Sequence, residues 1–359
     1  MKKYSFIIIS IVLVYMFLII IWAKDMSIYV LNSVKSCVNV IIPSMYIFMI
    51  VSDFLITSNI YALLGKPFSL LSRYVLKMPE ELFSVFLISS ISGYPVGAKL
   101  LADLWDAKKI DKKTAEDMLP YCYLSGPAFI CGMVGINVFY DYSIGILIFV
   151  SILLSNLITA IVIGRKRDIP PVNTYAAEYK INANLFIKSI SNGGKSMFSI
   201  CTVIIFFSSL ICILEKSGLT SFAATLIDEY TVLDFSAAVT LIKSIVEISN
   251  VSSFQADITL VPLITALLSF GGLCVIIQIR SILSSNLSIR NFLIFRVTSM
   301  LLSYFICKFL LMLLINKDIF TYSPAQVSNS QNSPISTLFL LIMTILFLLK
   351  FSIEKIKKT

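Results

Sequence analysis

The chain contains no histidine. That absence excludes a Ser-His-Asp triad, a Cys-His dyad, zinc sites of the HExxH kind and histidine-ligated haem. Charge is scarce as well. Asp, Glu, Lys and Arg make up 14% of the 359 residues, against roughly 25% in an average soluble domain. With 58% of its residues hydrophobic, a soluble protein could not cover its own core. An ordinary water-soluble enzyme is therefore excluded, and a polytopic membrane protein is indicated. The seven cysteines lie in apolar stretches and none forms a CxxC pair. They read as small buried hydrophobes rather than as a disulfide framework or metal site. No GxxxxGK[ST] pattern occurs, which argues against ATP-driven transport by this chain alone. Nothing in the sequence calls for a cofactor.

What is present is a succession of apolar runs. Residues 5–23 follow Lys2 and Lys3 and resemble the start of a signal peptide. The run is nevertheless long enough to span, no small-residue cleavage site follows it, and further spans do; it is read as a retained first helix. After a short amphipathic stretch, residues 38–57 form a second span carrying Pro43 and Asp53. Uninterrupted spans are expected at 143–164, 196–214, 292–315 and 335–353. The runs 114–139 and 262–279 are long enough but carry Ser125-Gly126-Pro127 and Ser269-Phe270-Gly271-Gly272. Proline removes a backbone donor and glycine loosens the ladder, so both are expected to be broken helices.

Two pieces are too short to span. Residues 82–92 and 98–105 flank the tip Ser92-Gly93-Tyr94-Pro95-Val96-Gly97. At 1.5 Å per residue neither arm crosses roughly 30 Å of hydrocarbon, so the pair reads as a re-entrant hairpin. Residues 235–261 repeat the pattern around the polar tip Glu247-Ile248-Ser249-Asn250-Val251-Ser252-Ser253. Ordinary tilted spans with polar kinks, ten in all, are the other reading of these pieces. The connections at 215–234 and 316–334 read as loops, the first acidic.

Charge gives the orientation. With the N-terminus in the cytoplasm, eight spans and two hairpins place 21 of the 29 Lys and Arg on the inside. Only Lys24, Lys35, Lys216 and Lys317 fall outside, while Lys99, Lys243, Arg296 and Lys308 lie within membrane segments. This is the positive-inside pattern. The formal net charge of +9 then records topology, and no nucleic-acid partner is expected. The fold class expected is all-α and polytopic, with about eight transmembrane helices plus two re-entrant hairpins in an inverted repeat. Its parts are an N-terminal helix with amphipathic linker (1–36), a first repeat (37–164), a cytoplasmic linker (165–195), a second, inverted repeat (196–315) and a C-terminal loop and span (316–359). Inverted repeats with broken helices are a secondary-transporter architecture.

The candidate residues follow from that arrangement. Gly93 and Gly97 admit close approach, either of another helix in the GxxxG manner or of a ligand. Ser92 and Pro95 complete the first tip. Free amides at the start of the arm 98–105 could hold an anion beside Lys99, unless Lys99 snorkels to the interface. Glu247 is the sharpest single residue, because an intramembrane carboxylate costs roughly 2.5–3.5 kcal/mol on the insertion scale and needs a partner. That partner is a coupling cation, a proton or a polar solute, or else Lys243 one turn away. Ser249 and Asn250 add neutral polar atoms. Ser125, Gly126 and Pro127, with Ser269, Gly271 and Gly272, supply unwound carbonyls in equivalent places of the two halves.

The segments Gly93-Tyr94-Pro95-Val96-Gly97-Ala98-Lys99, Ser125-Gly126-Pro127-Ala128-Phe129-Ile130 with Gly132 and Val134-Gly135, and Phe270-Gly271-Gly272-Leu273 resemble the YlbJ-like sporulation integral membrane proteins. Those are part of the nucleoside-recognition, or gate-domain, group. The resemblance covers residues 40–314 and implies a role in spore cortex formation. It also implies an arrangement similar to concentrative nucleoside transporters, with Gln278 added to the site. Val96 stands where many relatives carry serine, Asn250 where a glycine-containing stretch is usual, and Ile277 where a histidine often precedes Gln278. The expected protein is a multi-pass cell-membrane protein with both termini cytoplasmic and the lipid bilayer around it. It carries an unknown small polar solute, with a coupling cation as one option and a homo-oligomer left open. A non-transporting scaffold for cortex or coat machinery is the alternative; an intramembrane enzyme is disfavoured, since neither a histidine nor a paired acid dyad is available.

Overall fold

In hydrocarbon every backbone N–H and C=O must be satisfied within the chain, which leaves helices as the natural solution for these apolar runs. The computed structural model describes residues 2–165, 179, 181–283 and 286–315, and within them every regular element is helical. The expected loop 316–334, the expected last span 335–353 and residues 166–178 and 180 of the linker lie outside these residues.

Helix α1 (Lys2–Ile21) turns at Trp22 into α2 (Ala23–Ser36). The latter runs through a π-helical turn at Cys37–Ile41 into α3 (Ile42–Thr57). The amphipathic stretch is therefore the first half of one continuous 35-residue helical piece, Ala23–Thr57. After the short helix α4 (Tyr61–Leu64) come α5 (Glu80–Ser92) and α6 (Val96–Asp106), which fold back on each other as a hairpin. Helix α7 (Lys112–Met118) gives way to a non-helical stretch, 119–126, before Pro127 and a π-helical segment, Ala128–Ile136. The break around Ser125-Gly126-Pro127 is thus longer than three residues. Helix α8 (Tyr142–Gly164) follows.

The second half opens with α9 (Ala183–Lys216), which begins inside the stretch expected to be linker. The expected acidic loop holds a helix instead, α10 (Leu219–Tyr230). Its apolar residues Leu219, Phe222 and Leu226 recur at helical spacing and stay exposed, which suits an interfacial helix. Then come α11 (Phe235–Val246), a 3₁₀ segment at Ile248–Ser253, α12 (Val261–Phe270), α13 (Gly272–Ile282) and α14 (Arg290–Ile315). Several of the acidic residues earn their place as N-caps: Asp111, Asp141 and Asp234 accept from Thr114 N, Ser143 N and Ala237 N at 3.3, 2.7 and 3.2 Å.

Five helical stretches among the described residues are long and apolar enough to cross a membrane: Ala23–Thr57, Tyr142–Gly164, Ala183–Lys216, Ile258–Ile282 and Arg290–Leu314. Shorter apolar helices lie at Phe6–Ile21 and Phe235–Val246. Their polarity is inverted relative to a soluble helix. On α14, Arg296, Ser299, Ser303 and Cys307 are fully buried at spacings of three and four, while Val297, Leu301, Phe305 and Phe309 face outward. Lipid gives no hydrophobic reason to bring such helices together, so small and polar residues do the joining. Between α8 and α14, Ser155 Oγ donates to Ser299 O at 2.9 Å and Thr159 Oγ1 meets Ser299 Oγ at 3.0 Å. Between α2–α3 and α9, Asp25 pairs with Lys216 at 2.7 Å, Tyr29 with Glu215, and Asn192 donates to Asp53 at 3.2 Å. These pairs run antiparallel along the two helices.

Candidate functional site

The first tip is built against the first break. At the end of α5 the chain turns through Gly93, whose φ of +79° belongs to the left-handed region. A Cβ there would stand 2.7 Å from Gly126 N. Tyr94 N donates to Leu124 O at 2.7 Å, and Ser125 Oγ donates to Tyr94 Oη at 2.6 Å. The Tyr94 ring stacks on Tyr123 at 4.8 Å. Ser92 shares a hydrogen bond with Ser52 of α3. At the start of α6, Val96 N donates to Gly93 O at 3.1 Å, and Gly97 packs so closely on the Cys122 carbonyl that a Cβ would lie 2.0 Å from it. Lys99 pairs with Asp53 at 3.0 Å, a partner within the protein that simple snorkelling does not describe.

The second tip is built against the second break. Helix α12 ends at Phe270, and Gly271 and Gly272 both take positive φ, +86° and +76°. Gly272 lies beneath the tip, with its Cβ position 3.2–3.3 Å from Ser244 O, Ile245 O and Ile248 N. Glu247, 4% exposed, leaves α11 in an extended conformation and caps the 3₁₀ turn that follows. Its carboxylate accepts from Ser249 N at 2.9 Å, from Ser249 Oγ, and from Asn250 Nδ2 at 3.0 Å. Lys243 is not its partner; that ammonium sits 2.6 Å from Glu215 on α9. A carboxylate offers about four acceptor positions, and three are taken by neutral donors of the tip itself. Among the described residues no cation pairs with it.

The two tips and breaks converge on a cavity of about 40 Å³. Tyr94, Ser125 and Gly126 face it from the first half, and Glu247, Ser249 and Gln278 from the second. Ile41, Met45, Ile200 and Ile204 close it with apolar surface. Roughly 10–15 Å³ is needed for one water, so this space suits a few waters, an ion or part of a solute. A larger cavity of about 330 Å³ shares Ile200 and Gln278 with it. Pro95, Lys99, Asp103, Asp106, Lys195 and Ser196 line this vestibule, at the end where α6 and the start of α9 lie.

Behind the tips stands a fully buried guanidinium. Arg296 donates from Nη1 to Tyr123 O at 3.2 Å and Ser269 O at 3.1 Å, and from Nη2 to Asn156 Oδ1 at 2.9 Å and Ser299 Oγ at 3.0 Å. It lies 4.8 Å over the Tyr123 ring. Asn156 Nδ2 donates to the same Tyr123 carbonyl at 2.8 Å. Tyr123 Oη in turn donates to Phe270 O at 2.9 Å. One arginine therefore joins the backbone of both breaks.

The residues singled out in the sequence divide into three groups. Ser125, Gly126, Glu247, Ser249 and Gln278 line the small cavity, and Pro95 with Gln278 the vestibule. Ser92, Gly93, Gly97, Gly271 and Gly272 are packing positions where tips meet breaks. Pro127 heads the π-helical segment, Asn250 serves Glu247, and Ser269 gives its carbonyl to Arg296. Sequence reasoning assigned nothing to Tyr123, Asn156 or Arg296. The usable signal was an ionisable residue in a span, which marks function or a buried partner.

No family model matches the chain, and no solved structure matches it. Over 132 residues it is 32% identical to the sporulation integral membrane protein YlbJ of Bacillus subtilis (strain 168). The matched stretch is 36% of this chain and 32% of that protein, so the chain spans about a third of the length of the curated relative it matches.

Proposed function

From the premise of a YlbJ-like sporulation membrane protein, an assignment this similarity supports, we propose that the chain is a secondary transporter of a small polar solute. The observation that carries the reading is the convergence of two tip-on-break units on one cavity with a buried carboxylate, beside a vestibule that shares Ile200 and Gln278 with it. Two helical hairpins of α5–α6 and α11 with its 3₁₀ return would enter from opposite faces, each half being the inverted copy of the other. The polar atoms around Glu247 are hydroxyl, amide and carbonyl groups, which suit an uncharged polar solute with a coupling cation on the carboxylate. Spore cortex formation would be the process served. A non-transporting scaffold is the second reading, with residues 165–195 as the contact surface; Lys188, exposed on the second turn of α9, favours it.

One comparison separates them. Glu247→Gln keeps the shape of the tip and removes the charge, while deletion of residues 168–176 removes linker and leaves α9 intact. A transporter should lose cortex formation with the first at normal protein level and keep it with the second. The opposite pattern refutes transport. For the solute itself, thermal-shift measurements on the purified protein with nucleosides, amino acids and monovalent cations should show stabilisation that Glu247→Gln abolishes.

A further inference from the structure

The two tips are held in different ways. Tip 1 is tied to other elements at every level. Its backbone bonds Leu124 O through Tyr94 N, its side chain bonds Ser125, and its ring lies on Tyr123. Tyr123 is itself fixed from behind, its carbonyl taken by both Arg296 and Asn156, its ring covered by the guanidinium, and its hydroxyl bonded to Phe270 O. Tip 2 has no such ties. Among the described residues every hydrogen bond made by residues 247–253 closes within 247–254 or on Lys243 of the arm leading into it.

The chemistry at Arg296 explains the difference. Four of the five N–H groups of a guanidinium are used, all on carbonyl, amide or hydroxyl oxygens, and Nε has no partner. No carboxylate pairs with it among the described residues. A charge buried in this way is held by neutral dipoles, two of them peptide carbonyls, so it fixes backbone where backbone would otherwise be loose. Arg296 takes one carbonyl from each break, at Tyr123 and at Ser269. The Arg296–Tyr123–Tyr94 column then reaches from α14 to the cavity wall, where Tyr94 stands.

We propose that Arg296, with Asn156, is a positioning residue that clamps both breaks and tip 1 into one rigid half of the site, leaving the Glu247 tip as the half that moves. The inference concerns the same cavity as the transport reading and rests on it for its purpose. Its test measures amide protection and needs no transport, so the two can fail separately.

Hydrogen–deuterium exchange of the full chain in nanodiscs provides the test. In the unmodified protein, peptides over 91–97 should exchange at least about tenfold more slowly than peptides over 247–255, the ratio expected from one additional net hydrogen bond. Arg296→Met should speed 91–97 and 119–127 by a similar factor and leave 247–255 within about twofold. Arg296→Lys, which keeps the charge without the planar fork, should fall between the two. Asn156→Ala removes one bond to Tyr123 O and one from Arg296, and decides the matter if Arg296→Met does not fold. Equal exchange of both tips in the unmodified protein overturns the proposal. So does Asn156→Ala if it speeds both tips alike, as general loosening would, or leaves 91–97 unchanged.

Discussion

Replacement of Gly271 by alanine tests the contact between the two halves most directly. Two costs add at this position. The φ of +86° places any L-residue in the left-handed region, at about 1–2 kcal/mol. The new Cβ would also lie 1.7 Å from Tyr123 Oη and 2.7 Å from Cζ. The phenol cannot swing away cheaply, because its ring is stacked on Tyr94, edge-on to Phe292 at 5.1 Å and covered by Arg296. Displacing it breaks the bond to Phe270 O and leaves a buried donor and acceptor unpaired, at about 1–3 kcal/mol. Gly271→Ala should therefore cost about 2–5 kcal/mol in all, the sum of those terms. Tyr123→Phe alone should cost about 1–2 kcal/mol, since only the hydroxyl is lost. In the double variant the hardest overlap is gone, so Tyr123→Phe should restore about 1–2 kcal/mol in the alanine background, a coupling expected only of residues in contact. The assay is reversible unfolding in mixed micelles with increasing SDS, followed by fluorescence of Trp22 and Trp105. A cost for Gly271→Ala below about 0.5 kcal/mol, the range of an ordinary surface substitution, refutes the reasoning. Additivity of the two changes would refute it equally, by showing that the breaks do not touch.

Three further expectations concern the ion pairs and the topology. Asp53 is 8% exposed and Lys99 27%, so the two partners should not be equivalent: Lys99→Met strands a buried carboxylate, whereas Asp53→Asn leaves an ammonium that water can reach. Below the 3–5 kcal/mol of a fully buried pair, Lys99→Met should cost about 2–3 kcal/mol and Asp53→Asn about 1 kcal/mol in the same micelle assay; equal costs would contradict the described burial. Because Lys243 pairs with Glu215, Lys243→Met and Glu215→Gln should be coupled by about 0.5–1 kcal/mol, while Lys243→Met and Glu247→Gln should add. Coupling of the second pair would restore the local ion pair expected from sequence. Single cysteines at Lys108, beyond α6, and at Glu229, on α10, should react with impermeant maleimides from opposite sides of the membrane, in a background where the native cysteines are replaced. Labelling of both from one side would rule out the inverted arrangement.

Some of this was legible in advance for physical reasons. Span lengths follow from hydropathy, since lipid requires a continuous apolar surface, and α8 and α14 begin within two residues of where the sequence places them. The first hairpin was legible because Ser92-Gly93-Tyr94-Pro95 cannot continue a helix and its arms are too short to cross. Gly271-Gly272 announced its break in the same way. Helix α10 was hidden because its acidic residues resemble a loop, although its apolar spacing is helical. The partner of Lys243 was hidden for a different reason: Glu247 and Glu215 compete for it, and sequence separation favours the wrong one.

The sequence by itself determined that this is a membrane protein, where several of its long apolar helices lie and which residues centre its two breaks, because each of those is a local consequence of hydropathy, proline and glycine. It also supplied Glu247 as the carboxylate to test, since a charge in an apolar context is conspicuous wherever it folds. Only the tertiary structure decided what the breaks do. Tyr123 reaches Phe270 across the two halves, Arg296 takes a carbonyl from each, and Asn156 reinforces one of them. Those partners are backbone oxygens 27 to 173 positions away along the chain, and a carbonyl carries no residue identity to be read in a sequence. Arg296 also meets the side chains of Asn156 and Ser299, but the bonds by which it joins the two breaks end on peptide carbonyls, and that role comes from packing alone.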